Sequence, residues 1–245
     1  MSRFYVPREN IKGDRITVSG EEAHHMIDVM RIREGDEVVV FDGTGREYSG
    51  LVSRVEARLK EAEIKVMGIS EDHQEPAITV TLAQAIPKKD KMDYLVQKAT
   101  ELGVSEIIPV VTERTVVRPA KASSSRKTDR WRKICLGAAK QCGRCDVPEV
   151  RDIVGFDPLT ELFTSFDNVF FACLGQGAAP LKKALDRPLS GKVMLVIGPE
   201  GGFSPAEISR AGKAGCDLVS LGRRVLKSDT AGLYVLSVMN YQFSI

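Results

Sequence analysis

The sequence predicts an α/β protein in which a parallel sheet is covered by helices and preceded by a small β-rich domain. Three observations carry this. The first 70 or so residues hold strand patterns around a tight turn; a polar break follows near residue 72; beyond it, strand-like runs that are apolar throughout alternate with helical stretches. Strands of that kind, separated by helices, belong to a parallel sheet buried on both faces. With 245 residues the chain can build two modest domains, each with its own core.

In the first domain, Glu37–Phe41 and Tyr48–Val55 flank Asp42-Gly43-Thr44-Gly45, a hairpin signal, and Ile64–Ile69 adds another strand, so a small barrel is expected. Ser19-Gly20-Glu21-Glu22 has the spacing of a capping box, followed by Ala23, Met26, Ile27 and Met30 on one helical face that ends near Gly35. Glu71 to Pro76 reads as a linker. In the second domain the strands are Ile78–Ala83, Ile107–Val111, Val169–Leu174, Val193–Ile197 and Leu218–Leu221. The helices are Met92–Leu102, Arg130–Gln141, Leu181–Leu185, Ala206–Ala214 and Ala231–Tyr241, with Ala120–Thr128 as a mobile loop. The last helix has almost no polar face, so it is buried either within the chain or at a subunit interface.

Hydrophobic residues at 43% and charged residues at 28% describe a soluble globular protein. The start lacks a secretory signal and no apolar run reaches the roughly 18 residues of a membrane span, so a cytoplasmic protein without a membrane partner is expected. Five scattered cysteines do not form a disulfide framework. Cys142-x-x-Cys145 has no second ligand pair, so no metal is expected, and packed thiols are favoured over a redox pair. Residues 1–75 carry 11 Lys/Arg against 16 Asp/Glu, whereas Glu113 to Asp146 carries ten basic residues against three acidic. The second block suits a phosphate backbone, or equally a solvated basic face.

Three successive strand ends bear glycine: Leu174-Gly175-Gln176-Gly177, Gly198-Pro199-Glu200-Gly201-Gly202, and Leu221-Gly222-Arg223-Arg224-Val225-Leu226. Ligands of open α/β sheets bind beyond the carboxyl ends of strands, and glycine lets the backbone approach them. The dinucleotide fingerprint fails, because Pro180 stands where its third glycine belongs, which disfavours a nucleotide-dependent oxidoreductase. No G-x-x-x-x-G-K-[ST], H-E-x-x-H or G-x-S-x-G is present. Ser204-Pro205-Ala206-Glu207 reads as a capped helix start rather than a nucleophile. A ligand pocket without hydrolytic machinery fits group transfer from a bound cofactor.

Ile197-Gly198-Pro199-Glu200-Gly201-Gly202-Phe203-Ser204, followed by Leu221-Gly222-Arg223-Arg224-Val225-Leu226-Lys227-Ser228-Asp229-Thr230-Ala231, closely resembles the family that methylates N3 of a uridine in small-subunit (16S) ribosomal RNA, within the SPOUT class. The resemblance runs the length of the chain. Arg3-Phe4-Tyr5-Val6 looks like the family's opening, and His25 to Arg31 with Gly35-Asp36 like its first-domain signature. Lys89 to Asp93, Gln97 to Val104, Arg130-Trp131 and Ala139 to Arg144 look like its middle blocks. The chain departs from the family pattern at Lys227 and Asp229, usually arginine and glutamate, and at Lys88 or Lys89, usually glycine. Lysine lacks arginine's bidentate fork and aspartate is a methylene shorter.

The resemblance implies a PUA-like, RNA-binding β-barrel over residues 1–72 and a SPOUT methyltransferase domain over 73–245 with a C-terminal trefoil knot, a cofactor site and a dimer interface. It implies S-adenosylmethionine as cofactor, 16S ribosomal RNA or the 30S subunit as partner, and a homodimer. Cofactor contacts fall to Leu174, Gly175, Ile197, Gly198, Pro199, Glu200, Gly201, Gly202, Leu221, Gly222, Val225 and Leu226. Catalytic candidates are Lys227 for anion stabilisation and Asp229 or Glu200 as proton acceptor; Asp229 also reads as a helix N-cap. RNA would be gripped by Arg3, Arg31, Arg33, Lys88, Lys89, Arg114, Arg118 and Arg144, mostly at phosphate. Two other readings stay open: another SPOUT activity, such as ribose or purine methylation, and a non-catalytic ribosomal RNA-binding assembly factor.

Overall fold

A computed structural model describes residues 2–71, 77–175 and 177–245. Most of the expected linker, Asp72–Pro76, and Gln176 of the first glycine turn lie outside the described residues. The chain divides into two compact units, Met1–Glu75 with Ala139–Val147, and Pro76–Ala138 with Pro148–Ile245. The short stretch Ala139–Val147 folds with the first unit although it follows much of the second in sequence.

The first unit is a six-stranded mixed sheet. Its strands are β1 (Ser2–Tyr5), β2 (Ile11–Lys12), β3 (Arg15–Ser19), β4 (Glu37–Phe41), β5 (Arg46–Glu56) and β6 (Glu61–Glu71), in the order β1-β4-β5-β6-β3-β2. The expected hairpin pairs Phe41 with Glu47, and Gly43 and Gly45 take the positive φ its turn requires. Its tip also holds the returning stretch: the Gly45 amide donates to the Cys145 carbonyl and the Val147 amide to that of Gly43. Alternation in β3 buries Ile16 and Val18, which join Phe4, Met26, Val38, Val40, Val52 and Ile64 in one core.

One expectation here is overturned. Helix α1 (Gly20–His24) begins after Ser19, but the Ser19 side chain makes no cap bond. Glu22 instead accepts from the Tyr5 amide at 3.0 Å and from Lys140 Nζ at 2.7 and 2.8 Å. A fixed cation and a strand amide outcompete the local box. The helix then runs on as a π-helical turn, His25–Val29.

The second unit is an eight-stranded, wholly parallel sheet. It comprises β7 (Ile78–Ala85), β8 (Glu106–Val111), β9 (Glu149–Val150), β10 (Val154–Gly155), β11 (Asn168–Ala172), β12 (Ala179–Pro180), β13 (Gly191–Ile197) and β14 (Asp217–Ser220). The order is β10-β8-β7-β13-β11-β14-β12, with β9 beside β8. The helices are α2 (Lys91–Glu101), α3 (Lys121–Cys142), α4 (Phe156–Glu161), α5 (Leu181–Leu185), α6 (Pro205–Lys213) and α7 (Ser228–Phe243). Ala83, Ile108, Phe171, Met194 and Val196 meet Phe156, Leu159 and Ala211 of α4 and α6 on one face. Strand side chains alternate, so Leu82 and Gln84 point to the other face, where Gly232 of α7 and Leu95 of α2 lie against them.

The expected loop Ala120–Thr128 is helical from Lys121 onward, a correction. Its serines and threonine fold back on the helix: Thr128 Oγ1 donates to the carbonyls of Ser124 and Ser125, and Ser123 Oγ to that of Ala120. Burial of Thr128 and Trp131 then anchors the helix that polar composition alone disguises.

Candidate functional site

The parallel register brings the three glycine-bearing strand ends together. In β11, Ala172 pairs with Ile197 of β13 on one side and Val219 of β14 on the other, so the chains leaving these strands emerge side by side at the carboxyl edge. They enclose an open cavity of about 260 Å³. Eleven of the twelve residues expected to hold a cofactor line it: Leu174, Ile197, Gly198, Pro199, Glu200, Gly201, Gly202, Leu221, Gly222, Val225 and Leu226. Gly175 does not, although its φ of +144° is one that glycine tolerates. The walls gain Ala172, Cys173, Phe203, Ile208, Ser228 and Ala231 together with the cations Arg114 and Arg224.

Helix α6 fixes the far side of the central turn. Ser204 accepts from the Glu207 amide, Glu207 Oε2 accepts from the Ser204 amide at 2.8 Å, and Pro205 opens the helix, so this capping box forms as expected. Glu207 is buried, and its second oxygen accepts from the Glu113 amide at 2.8 Å. The next residue, Arg114, donates to the Gly201 carbonyl at 3.0 Å. Apolar walls around exposed glycine backbone fit an adenosine: a flat ring between aliphatic side chains, its edge read by peptide groups. Burial raises the Cys173 thiol, and burial and Cys173 push Cys216 up to about 12, so neither is a ready nucleophile beside the cavity.

The catalytic candidates occupy different positions. Glu200 lines the cavity, and its Oε1 accepts from the Lys88 amide at 3.0 Å. Lys227 is the N-cap of α7 and is exposed. Asp229 is therefore in the first turn of α7 rather than its N-cap, a third correction, and its carboxylate meets Lys91 Nζ at 3.1 Å. Acidic groups in a first turn are favoured by the helix dipole without capping it.

The eight expected RNA contacts also separate. Arg31, Arg33, Lys88 and Lys89 are exposed. Arg114 borders the cavity, and Arg118 donates to the carbonyls of Thr112, Glu113 and Thr115, stapling that turn. Arg3 and Arg144 are engaged within the first unit: Arg3 bonds Glu47, the Arg144 carbonyl and Cys145 Sγ, and Arg144 pairs with Asp146. Sequence reasoning missed Gln84 and Ser228, described below; an amide side chain within the strand run Ile78–Ala85 was the available signal. Among the described residues no three His, Cys, Asp or Glu side chains gather as a metal site, and no helix is long and apolar enough to cross a membrane.

Fold and site together define an α/β protein that takes a small ligand at the carboxyl edge of a parallel sheet. A family profile described as an RNA methyltransferase domain matches residues 73–240, and one described as an RNA methyltransferase PUA domain matches residues 18–65. The chain belongs to this RNA methyltransferase family. It is similar to the Ribosomal RNA small subunit methyltransferase E of Bacillus subtilis (strain 168), 33% identical over 99% of this chain and 97% of that one. Among solved structures it is similar to a Ribosomal RNA small subunit methyltransferase E from Neisseria gonorrhoeae bound to S-adenosyl methionine, with 30% identity, a TM-score of 0.85, and coverage of 99% of this chain and 98% of that chain. A Legionella pneumophila methyltransferase with bound SAM is 32% identical, with a TM-score of 0.86 and coverage of 98% and 97%.

Proposed function

We propose that this chain methylates N3 of a uridine in 16S ribosomal RNA, using S-adenosylmethionine held in the cavity at the ends of β11, β13 and β14. The observation that carries the reading is the convergence of three strand ends on one cavity, lined by glycine from two of them and by Leu174 from the third, in a chain of the RNA methyltransferase family. Residues 1–72 serve as the PUA-like RNA-binding domain. Residues 73–245, apart from the stretch Ala139–Val147 that joins the first unit, form the SPOUT domain, with its C-terminal trefoil knot, and pair with a second copy in a homodimer. The exposed Tyr234 and Tyr241 and the partly exposed Leu233 and Val238 of α7 suit that interface. The setting is the cytoplasm, with RNA or the 30S subunit as substrate.

S-adenosylmethionine supplies a methyl group already activated on a sulfonium. The protein must remove the N3 proton and stabilise the uracil anion, because protonated N3 is a poor nucleophile. Glu200, on the cavity wall, and Asp229, next to the cavity-lining Ser228, are the candidate proton acceptors. Lys227 or Arg114 would offset charge developing on the uracil carbonyl oxygens. The exposed Arg31, Arg33, Lys88 and Lys89 hold phosphates, which predicts binding that weakens steeply with salt.

The test is methyl transfer to 30S particles lacking the modification, with nucleosides analysed by mass. N3-methyluridine is expected. A different methylated nucleoside would replace the proposed position, and S-adenosylmethionine binding without any transfer would favour an assembly factor.

A further inference from the structure

Resting on the methyl-donor reading above, we infer that Gln84 and Ser228 are positioning residues: a buried relay from Gln84 through Ser228 to the Gly198 carbonyl sets the loop Gly198–Gly202 in its donor-binding conformation. Gln84 is wholly buried in β7, and its Nε2 donates to the Ala85 carbonyl at 3.0 Å and to Ser228 Oγ at 2.8 Å. Ser228, at the first residue of α7 and 4% exposed, donates from Oγ to the Gly198 carbonyl at 2.6 Å. A carbonyl only accepts, so the single serine proton is committed to Gly198, and Oγ must receive from the amide nitrogen of Gln84. The chain of bonds has one direction.

The anchored peptide is unusual. It joins Gly198 to Pro199, and proline has no N–H, so the carbonyl is its sole hydrogen-bonding group. Ser228 takes that group, while the Phe203 ring closes the other side, 2.9 Å from where a Gly198 Cβ would stand. The plane of this peptide, the first after β13, directs every cavity-lining residue through Gly202. Packing alone does not explain these polar groups. Gln84 Oε1 is buried without a partner, against Gly232, where a Cβ would come within 2.6 Å of it. An apolar side chain would fill the same space with no unsatisfied atom. Gln84, Ser228 and the missing side chain of Gly232 therefore interlock around the loop.

The experiment titrates S-adenosylmethionine into the full chain by calorimetry, and measures KM and kcat for methyl transfer beside thermal unfolding without donor. Ser228→Ala and Gln84→Met should each raise Kd and KM for the donor about five- to tenfold, the value of one lost hydrogen bond, with the loss in KM rather than kcat. Because they act as one unit, the double variant should be little worse than the worse single. Gly232→Ala, which pushes Gln84 aside without touching the relay atoms, should reproduce the loss, and Ser228→Thr, which keeps the hydroxyl, should recover part of it. Unchanged donor affinity beside a lowered unfolding temperature would reduce both residues to packing and overturn the inference, as would failure of both single variants to fold. A wild-type chain that binds no donor removes the underlying reading and this inference with it; a binding wild type with unaffected variants removes the relay alone.

Discussion

The two units each contain the same four-residue signature, Ser-x-x-Glu, and use it in opposite ways. At Ser204 to Glu207 both reciprocal cap bonds form, with Pro205 opening the helix. At Ser19 to Glu22 neither partner caps; Glu22 serves a strand amide and Lys140, and Gly20 takes a φ of +66° behind the serine. A local signature prevails where the surrounding fold asks the same of its residues. In the second unit, Glu207 satisfies the box and still reaches the Glu113 amide, so local and distant demands agree. In the first unit they compete, and the distant cation wins.

Substitutions can break this comparison. Glu207→Ala should cost about 2–4 kcal/mol in urea unfolding, because two amides lose their carboxylate acceptor where little water reaches. The cavity loop should loosen with it and donor affinity fall; stability unchanged within experimental error would mean that the buried carboxylate is replaceable by water. Glu22→Ala should cost less, about 1–2 kcal/mol, since its Lys140 pair is partly solvated and only one amide is left unmet. Ser204→Ala should cost about 1 kcal/mol, the usual value of a lost N-cap. Ser19→Ala should change stability by less than about 0.5 kcal/mol, since no cap bond exists to lose. Equal costs at the two serines would erase the distinction.

A finer test uses backbone strain. Arg31 in the first unit and Lys89 in the second hold φ of 56° and 61°, where side chains are disfavoured. Arg31→Gly and Lys89→Gly should each stabilise by up to about 1 kcal/mol through relief of that strain, while lowering RNA affinity and the steepness of its salt dependence. Unaltered RNA binding in either would show that its strain serves no phosphate contact.

Much of the second unit was legible because its central strands are mostly apolar runs and α6 starts at a clear chemical signal. The three glycine-bearing strand ends could be read one by one, but only the parallel register of β13, β11 and β14 brings them to one cavity, and register leaves little trace in a single sequence. Of the two lysines Lys88 and Lys89, Lys89 holds the left-handed φ that glycine adopts most readily. The first unit was harder. Strands β1 and β2 are short, β1 pairs in parallel with a strand more than thirty residues away, and Arg3 and Arg144, expected to meet RNA, also make ion pairs within the unit. Helix α3 was hidden by Ser123, Ser124 and Ser125, whose polarity suggests a loop until Ser123 Oγ and the Ser124 and Ser125 carbonyls are seen engaged in the helix's own bonds. Gln84 and Ser228, 144 positions apart, meet only in the fold.

The stretch Ala139–Val147 returns to the first unit after the second has begun, and its Cys145 carbonyl and Val147 amide complete the tip of the β4–β5 hairpin. During synthesis, therefore, the amino-terminal unit gains its last hydrogen bonds only once Val147 has left the ribosome. A fragment cut at residue 72 should behave as an unfinished domain, and its expression is a poor substitute for the intact chain in RNA-binding work.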